Sequence, residues 1–559
     1  MKTTTNNLFR SFISTLPFGG VIGWGLLLAS CLSEDPRGAL TEDQAYKDAT
    51  MLELSTVAPI YNNIGGNADS EGLQGTYRGV YDLNTFSTDE AMLPTRGGDW
   101  YDGGLWQSLY LHRWTASDKP LSDTWNYLYK VVMLCNRSIE TLTEHRSLLT
   151  EAQYQADIAE LRALRAMFYF YIMDLWGSVP VVTSSSTSDA VTQQPRSEVF
   201  RFIVSELQEA APLLPAEHSN SQGSWYGRMT QPVAHFLLAK LMLNAEVYAD
   251  DDVTDGSRPA GSSLSFTVGS QTMNAWQACA YYCDLLTAFG YTLEDSYSTN
   301  FAVHNDVSKE NIFTIPMDKY LYANQYKYLF RSRHYSHGSA LGFDAENGTV
   351  ATLSTCATFG YAAVTDGSPV STTTQPDPRW SLNFYYDNVI VDGSQVLLPD
   401  GTPLVYQPLE VRLDLTGSPY EKTAGARMAK YEIDRKAYAD GNLQDNDIVL
   451  FRYADVLLML AEAKMRMGQG GLDELNKVRA RVGLSPLTAI DDDTILSERL
   501  KELMWEGWRR NDLIRFARFH RAYDQRPQLD SEASAYTTLF PIPGGVIDLN
   551  PSIRQNPGY

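Results

Sequence analysis

Cysteine is scarce in this sequence. Its 559 residues include five cysteines, Cys31, Cys135, Cys279, Cys283 and Cys356, which are too few and too scattered to form a disulfide framework. Cys279 and Cys283 would lie one turn apart on a helix, but no other metal-binding side chain is near them in sequence. Two buried apolar side chains are therefore favoured over a metal site, and redox chemistry is not indicated.

Positive charge is also in short supply. Lys and Arg number 45 against 67 Asp and Glu, which gives a formal net charge of -22 and a pI near 4.8. Such a chain repels the phosphates of nucleic acids, so no nucleic-acid partner is predicted. Strongly anionic glycans are disfavoured too, unless Arg331 and Arg333 form a local basic patch. With 44% hydrophobic and only 20% charged residues, the chain has ample material for a core.

The usual sequence motifs of enzymes are absent. There is no paired-histidine zinc motif, no glycine-flanked nucleophilic serine and no phosphate-binding loop ending in Gly-Lys. The chain is therefore expected not to be an enzyme. A glycosidase needs only two carboxyl groups facing one bond, an arrangement that sequence cannot reveal, so a surface glycosidase stays open as an alternative.

Long hydrophobic runs are confined to the N-terminus. The stretch 12–28 is mostly apolar, follows two basic residues, and ends in the sequence LASC at 28–31. This layout is typical of a bacterial lipoprotein signal peptide, which would comprise residues 1–30 and be cleaved before Cys31. Acyl chains on Cys31 would then anchor the exported chain to a membrane. No later segment reaches the roughly 18 apolar residues of a membrane span.

Helical periodicity dominates two blocks of the sequence, one on each side of a polar region. In the polar region, 291–447, short alternating runs at 312–315 and 389–391 predict strands. Successive helix pairs of similar size indicate a mainly α fold, a tetratricopeptide-like array of helix pairs interrupted by a long, irregular, loop-rich insertion that contains short strands. The predicted helices span residues 125–139, 161–175, 197–214, 232–248, 275–289, 448–467, 472–482 and 495–516.

Aromatic residues cluster in a glycine-rich stretch that does not suit a helix. Residues 96–106 contain four glycines, two Trp and one Tyr without a periodic face. Sugar rings stack on aromatic rings and their hydroxyls need polar partners, so exposed rings beside Asp and Arg are suited to sugar recognition. The alternative, that these rings cover the helical core, stays open. The predicted ligand-binding residues are the rings that would stack on sugars and the Asp and Arg side chains that would bond their hydroxyls: Asp89, Arg96, Trp100, Tyr101, Asp102 and Trp106.

A second aromatic cluster lies in the polar region, between residues 320 and 335. Some of its tyrosines would alternate across a strand, so about half are expected to be structural. Each exposed stacking contact contributes on the order of 1 kcal/mol, and useful affinity would need several sugar rings at once. The predicted ligand-binding residues of this cluster are Tyr320, Tyr322, Tyr326, Tyr328 and Arg331.

Several long motifs are similar to those of one family. The sequence FRYADVLLMLAEA at 451–463 resembles the RagB/SusD family of Bacteroidota outer-membrane nutrient-binding lipoproteins, and LNKVRARVGL at 475–484 resembles the next helix of that family. In these and neighbouring motifs, charged residues are expected to form buried or half-buried ion pairs that lock helices together. These residues are Arg452, Glu462, Arg479 and Glu506. Further similar segments are 164–170, 176–180, 227–230, 498–515, 540–543 and 555–559.

The resemblance implies a single domain at 31–559, with an N-terminal part at 31–300, a C-terminal part at 301–559 and a loop-rich insertion at 318–447. It also implies a lipid-anchored protein on the outer-membrane surface that captures oligosaccharides, has no catalysis of its own, and passes its ligand to a SusC-like TonB-dependent transporter. The ligand surface of starch-binding relatives is an aromatic arc outside the repeat core, and the two aromatic clusters fall in comparable regions.

Two other functions remain compatible with this resemblance. One is peptide binding, as in RagB-like members, because peptide capture relies on backbone hydrogen bonding along a cleft and needs no exposed aromatic platform. The other is a scaffold whose only partner is the transporter. No cofactor is predicted, although a structural calcium ion in a loop rich in Asp and Asn is compatible with the sequence.

Overall fold

The computed structural model describes residues 46–66, 68–186, 191–320, 331–365, 367–373, 375–437 and 444–559. The predicted signal peptide and Cys31 lie outside these ranges. Within them, no helix is both long enough and apolar enough to cross a membrane. The helices, numbered in chain order, are α1 Ala49–Thr56, α2 Ala58–Gly65, α3 Val80–Phe86, α4 Leu105–Tyr110, α5 Lys119–Glu144, α6 Glu151–Trp176, α7 Arg196–Ala210, α8 Gln231–Leu243, α9 Ala245–Tyr248, α10 Ala275–Ala288, α11 Tyr335–Leu341, α12 Leu353–Thr358, α13 Arg379–Asn383, α14 Tyr453–Arg466, α15 Leu472–Arg481, α16 Asp492–Leu503, α17 Arg509–Arg515 and α18 Gly544–Leu549.

The strands of the described residues are short and form two-stranded antiparallel pairs. β6 and β16 join the two helical blocks, because Ile448 lies opposite Ile315 and Arg452 opposite Asn311. The strands are β1 Ala91–Met92, β2 Val179–Pro180, β3 Gln193–Gln194, β4 Phe266–Val268, β5 Gln271–Met273, β6 Asn311–Ile315, β7 Val350–Ala351, β8 Ala362–Thr365, β9 Ser368–Thr372, β10 Phe384–Tyr385, β11 Asp387–Asn388, β12 Ile390–Val391, β13 Ser394–Gln395, β14 Val405–Tyr406, β15 Arg427–Met428 and β16 Ile448–Arg452.

Local sequence sets the limits of α6, one of the two longest helices of the array. Thr150 and Gln153 form a reciprocal capping box at its start, and Gly177, with a φ of 73°, follows its end. Its C-terminal half is buried on every side, as its nearly continuous apolar sequence requires. α6 is therefore the central helix against which its neighbours pack.

Consecutive helices pack side by side in an array that continues across the insertion. α5 packs on α6, α6 on α7, α7 on α8, and α8 on α10. α10 in turn packs on α14, which contacts α15 and α16. Because each helix buries its apolar face on the next, both helical blocks share one large hydrophobic cluster.

Two helix predictions in the C-terminal block differ from the structure. Residues 448–452 form strand β16 and the helix begins at Tyr453, because a short buried apolar run suits either element and β6 offers a partner here. The helix predicted at 495–516 is two helices, α16 and α17. Between them Trp505 and Gly507 have left-handed φ values of 68° and 74°, which end a helix.

The other predicted elements are present with small differences in their limits. The helix predicted for 232–248 is divided into α8 and α9, and the one predicted for 197–214 ends at Ala210. The strand predicted at 312–315 is β6, and the one at 389–391 is β12. Periodicity thus located these elements, whereas their ends depend on local capping and turns.

Charged side chains of the C-terminal motifs form ion pairs between helices, as predicted. Arg452 contacts Glu310 at 2.8 Å, Glu502 at 2.6 Å and Glu506 at 2.8 Å, and all four side chains are buried. Each buried charge is tolerated only because it is paired, so these contacts fix how the helices are placed relative to one another. Glu462–Arg515 and Arg479–Glu498 also join different helices, whereas Glu462–Arg466 lies within α14.

Candidate ligand-binding site

The glycine-rich loop at 96–106 borders an open polar pocket of about 580 Å³. This pocket, called the loop pocket below, lies between residues 102–105, the start of α5, and the segment that carries Asp69 and Arg78. Gly103 and Gly104 have φ values of 67° and 87°, which glycine adopts at little cost. They allow the loop to turn sharply into α4, and the turn forms one wall of the pocket.

Four residues other than glycine adopt left-handed backbone conformations at or beside the loop pocket. The φ angle is 63° at Ser70, 59° at Arg78, 62° at Trp100 and 43° at Asp102. Each such residue costs on the order of 1 kcal/mol and persists only when the surrounding structure enforces it. Because backbone strain of this kind clusters at ligand-binding positions, it supports a functional role for the loop pocket.

Arg78 is the central polar side chain of the loop pocket. Its Nη1 lies 2.6 Å from Asp69 Oδ2, and its Nη2 lies 2.7 Å from Asp102 Oδ2. Partial burial lowers the pKa of Arg78, but the two carboxylates outweigh that effect and raise it overall. All three side chains remain partly exposed, so their unused donors and acceptors can reach the hydroxyl groups of a ligand.

The three aromatic side chains of the loop differ in exposure. Tyr101 is 57% exposed. Trp100 is half-buried and donates from Nε1 to the carbonyl oxygen of Glu346 at 2.8 Å. Trp106 is only 1% exposed and donates to Asp102 Oδ2 at 2.9 Å, so the prediction that its ring is exposed is wrong. It packs on α3 and attaches the loop to the core, which was the open alternative for these rings.

Asp89 and Arg96 are buried, so neither side chain is placed at the surface to bond the hydroxyl groups of a sugar, as was predicted. Asp89 lies 2.6 Å from Arg509 and 2.9 Å from Arg521. Burial raises the pKa of Asp89, but these two cations more than offset that effect and hold it below its ordinary value. Arg96 donates to the carbonyl oxygen of Glu421 at 2.7 Å. Both side chains therefore connect the loop region to other parts of the fold.

The second predicted cluster lies only partly in the described residues. Tyr320 is 72% exposed and lies against the ammonium group of Lys319. Arg331 is fully buried and paired with Asp82, and Arg333 is 1% exposed. Arg331 is therefore not placed at the surface to bind a ligand, as was predicted, and the two arginines form no basic surface patch. Three predicted residues lie outside the described ranges: Tyr322, Tyr326 and Tyr328.

Two residues that line the loop pocket, Asp69 and Arg78, were not predicted from the sequence. The contact between Tyr335 and the loop was not predicted either. Asp69 and Arg78 precede the aromatic loop, and Arg78 is 24 residues from its partner Asp102. No local pattern marks such a pair, because the fold alone brings the two segments together. Tyr335, 44% exposed, donates to Asp99 Oδ2 at 3.0 Å, and this contact places the start of α11 beside the loop.

Metal-binding groups are not evident in the described part of the chain. There, no cluster of three or more His, Cys, Asp or Glu side chains is placed to hold a metal ion. Cys279 and Cys283 are buried and free, and burial raises the pKa of the Cys283 thiol. The structural calcium ion considered from the sequence stays a prediction.

Family models match both helical blocks of the chain. One model, described as the SusD family, matches residues 244–559. A second, described as starch-binding and associating with the outer membrane, matches residues 58–243. The two matches are consecutive and include the loop pocket and the insertion.

Similar proteins extend over nearly the whole chain. The starch-binding protein SusD of Bacteroides thetaiotaomicron is 23% identical, over 95% of this chain and 96% of that protein. A SusD-like protein of Bacteroides ovatus is 24% identical, over 88% of this chain and 81% of that protein.

Solved structures share the fold. A SusD-like protein of Bacteroides fragilis superposes with a TM-score of 0.68 at 21% identity, covering 93% of this chain and 99% of that one. Surface glycan-binding protein A of Bacteroides thetaiotaomicron, in complex with laminarihexaose, has a TM-score of 0.66 at 18% identity and covers 92% and 100%. These likenesses confirm the predicted fold, a mainly helical tetratricopeptide-like array.

Proposed function

The chain belongs to the SusD family, and from this membership we propose that it is a cell-surface protein that binds glycans at the loop pocket. The starch-binding relative and the structural neighbour that holds laminarihexaose both bind carbohydrate, which supports this class of ligand. We expect a neutral glycan, because the chain carries a net charge of -22.

The observation that carries the proposal is an exposed ring adjoining a charged polar pocket. Tyr101 exposes 57% of its surface and precedes Asp102 in the loop. A sugar ring stacked on Tyr101 would have its hydroxyl groups near Asp102 and near Arg78 and Asp69, its neighbours in the loop pocket. Ionised donors and acceptors form stronger hydrogen bonds than neutral ones, so this arrangement combines an apolar platform with strong polar contacts.

The same arrangement accounts for how affinity would depend on ligand length. One exposed stacking contact contributes on the order of 1 kcal/mol, which is too little for useful capture. Contacts to successive sugars of one chain add by multivalency. Half-buried Trp100, which precedes Tyr101, and exposed Tyr335, which contacts Asp99 of the same loop, would supply such additional contacts. Longer oligosaccharides should therefore bind more tightly than short ones.

The remaining parts of the proposed function follow from family membership. The lipid on Cys31 would hold the protein at the outer membrane, in keeping with the description of the second family model. The captured oligosaccharide would pass to a SusC-like TonB-dependent transporter without being hydrolysed. Neither a cofactor nor a nucleic-acid partner forms part of this function.

Affinity electrophoresis of the soluble protein from residue 32 onward tests the proposal. Wild type and Tyr101→Ala are run in gels that contain starch, laminarin, other neutral polysaccharides or acidic ones. Tyr281→Ala is the matched control, because Tyr281 is also exposed, at 38%, but lies on α10 of the helical array. We expect a neutral glycan to retard wild type and the control, and Tyr101→Ala to bind about fivefold more weakly, as loss of one stacking contact implies.

Each other outcome has a defined meaning. Equal retardation of all three proteins would place the glycan elsewhere on the surface. If no glycan retards the folded wild type, the proposal is wrong and peptide binding, or a role only within the transporter complex, replaces it. Chromatography of the glycan after incubation with the protein tests whether the glycan is hydrolysed. Release of shorter products would identify a glycosidase.

A further inference from the structure

Arg196, the first residue of α7, is a buried cation without a hydrogen-bonding partner. It is 1% exposed, and none of its three guanidinium nitrogens has a partner among the described residues. Its guanidinium carbon lies 5.2 Å from the ring of Tyr248, which offers only a cation–π contact. Burial lowers the pKa of Arg196 to about 10, as expected for a charge that lost its water without gaining a full set of partners.

This side chain lines a pocket of about 160 Å³ far in sequence from the loop pocket. The walls are the start of α7, the turn at 250–253 and the C-terminal segment 554–557. One water molecule needs roughly 10–15 Å³ of such volume, so the pocket has room for a small polyatomic ligand. We call it the Arg196 pocket.

Most other polar side chains of the Arg196 pocket are already engaged within the protein. Gln193 donates to the carbonyl oxygens of Ser178 at 2.7 Å and Arg554 at 3.2 Å, and it accepts from the Arg554 amide at 3.0 Å. Asn556 donates to two backbone carbonyl oxygens. The exposed Arg554 side chain forms no ion pair within the described residues. The uncommitted donors of the pocket are therefore two guanidinium groups, one buried and one at the mouth.

Two aspartates also line the pocket and must be considered. Asp251 accepts hydrogen bonds from the amide and hydroxyl groups of Ser197, at 2.8 and 2.9 Å. Asp250 accepts from the Asp252 amide at 3.0 Å and forms no ion pair with Arg196 in the described structure. Both carboxylates are thus engaged in hydrogen bonds, and the negative charge of each would repel an anion and limit its affinity.

We propose that the Arg196 pocket is a binding site for a small oxyanion, a carboxylate or sulfate group, held by Arg196 and closed by Arg554. Guanidinium groups bind such ligands through two parallel N–H···O bonds, and the pocket offers two of these groups. The first two amides of α7 already donate to Ser178 and Asp251, so the guanidinium groups alone would supply the binding. The proposal is independent of glycan binding at the loop pocket.

Thermal unfolding of the soluble protein in the presence of anions tests this inference. The probes are sodium sulfate, sodium acetate and sodium glucuronate, with glucose as a neutral probe and sodium chloride added to equal ionic strength. A ligand that binds only the folded state raises Tm with its concentration. At concentrations too low for the general stabilising effect of excluded salts such as sulfate, we expect the oxyanions to raise Tm, and glucose and chloride to leave it unchanged. A larger effect of glucuronate than acetate would identify an acidic sugar as the source of the carboxylate.

Variants locate the effect in the pocket. Arg196→Met should abolish the rise in Tm. Arg554→Gln should lower the affinity for the anion about tenfold, as loss of a charged hydrogen bond implies. Arg412→Gln, which removes an exposed arginine elsewhere, should match wild type. Asp250→Asn should bind the anion more tightly, because it removes a repelling charge from the pocket and keeps an oxygen that can accept from the Asp252 amide.

Two results would overturn the proposal. One is a rise in Tm with sulfate no larger than with chloride at equal ionic strength. The other is an equal rise in wild type and Arg554→Gln, combined with no gain in Asp250→Asn. The Arg554→Gln variant, at an exposed position, and Asp250→Asn, which keeps the shape of the side chain, keep the test decisive even if Arg196→Met does not fold. If Asp250→Asn instead lowers stability without strengthening the anion, Arg196 and Asp250 act as a structural pair and the site is not an anion site.

Discussion

Arg331 and Asp82 form a buried bidentate ion pair beneath the aromatic loop, with Nη1 2.8 Å from Oδ2 and Nη2 2.7 Å from Oδ1. The same guanidinium lies 5.0 Å from the ring of Tyr77 and 5.7 Å from the ring of Trp106. A residue predicted to contact ligand is thus part of the support of the loop. In the proposed site, its contribution to binding is to hold the aromatic side chains in position.

Replacing Arg331 should therefore destabilise the fold. In Arg331→Met, Asp82 would remain buried without its partner, and such a loss costs about 3–5 kcal/mol. Urea unfolding measures this change in the free energy of unfolding. The double variant Asp82→Leu with Arg331→Met should recover much of the loss, because no unpaired charge remains. A single-variant cost below about 1 kcal/mol would contradict the supporting role.

Arg78, unlike Arg331, should contribute more to glycan binding than to the stability of the fold. Its ion pairs with Asp69 and Asp102 are partly exposed, so Arg78→Gln should change the free energy of unfolding by no more than about 1 kcal/mol. Glycan affinity should fall about tenfold, because charged hydrogen bonds to the ligand are lost. Titration calorimetry against the glycan that retards wild type measures the loss. Arg113→Gln, which replaces an exposed arginine after α4, should bind like wild type.

The buried charge cluster around Arg452 should contribute far more to stability than a surface pair. Arg452→Met removes the one cation that contacts Glu310, Glu502 and Glu506 together, so we expect a loss of about 3–5 kcal/mol. The carboxylates keep their contacts with Arg481, Arg379 and Lys430. The matched control is Arg201→Met, whose partner Glu198 is exposed; this pair should contribute about 1 kcal/mol or less. Similar urea midpoints for the two variants would show that the buried cluster is not needed for the fold.

The helical array was predictable because its signals are local. Apolar periodicity, the glycine after α6 and the proline in the first turn of α8 lie within single elements, and each agrees with the packing that follows. Predictions were wrong where a distant segment decides the outcome. Residues 448–452 become a strand because β6, far away in sequence, pairs with them.

The candidate site was predictable only in part for the same reason. The composition of residues 96–106 identifies a loop, and the loop does border the loop pocket. Composition does not tell which ring is buried: Trp106 packs on α3, whereas Tyr101 is exposed. The polar partners of the pocket, Asp69 and Arg78, come from another segment, so the sequence of the loop contains no information about them.

Glu90 is a buried carboxyl group whose proton is linked to folding. It is 1% exposed, and its Oε1 accepts a hydrogen bond from the Trp505 amide at 2.7 Å. Burial raises its pKa from the ordinary value of 4.5 to about 8, and the Trp505 amide, Arg509 and Lys430 only partly offset this effect. Between these two values the folded protein keeps a proton that the unfolded chain releases.

The stability that Glu90 contributes should therefore be present below pH 4.5 and be lost as pH rises towards 8. The expected slope is up to about 1.4 kcal/mol per pH unit within that interval. Glu90→Gln keeps the acceptor for the Trp505 amide but has no proton to lose, so its stability should decline less from pH 5 to pH 8. Urea unfolding gives the free energy of unfolding of wild type and variant at each pH. In the difference between the two values, the titration of all other groups cancels. Glu217→Gln, at an exposed position, should follow the wild-type curve. Parallel curves for wild type and Glu90→Gln would mean that Glu90 is ionised in the folded protein throughout this range.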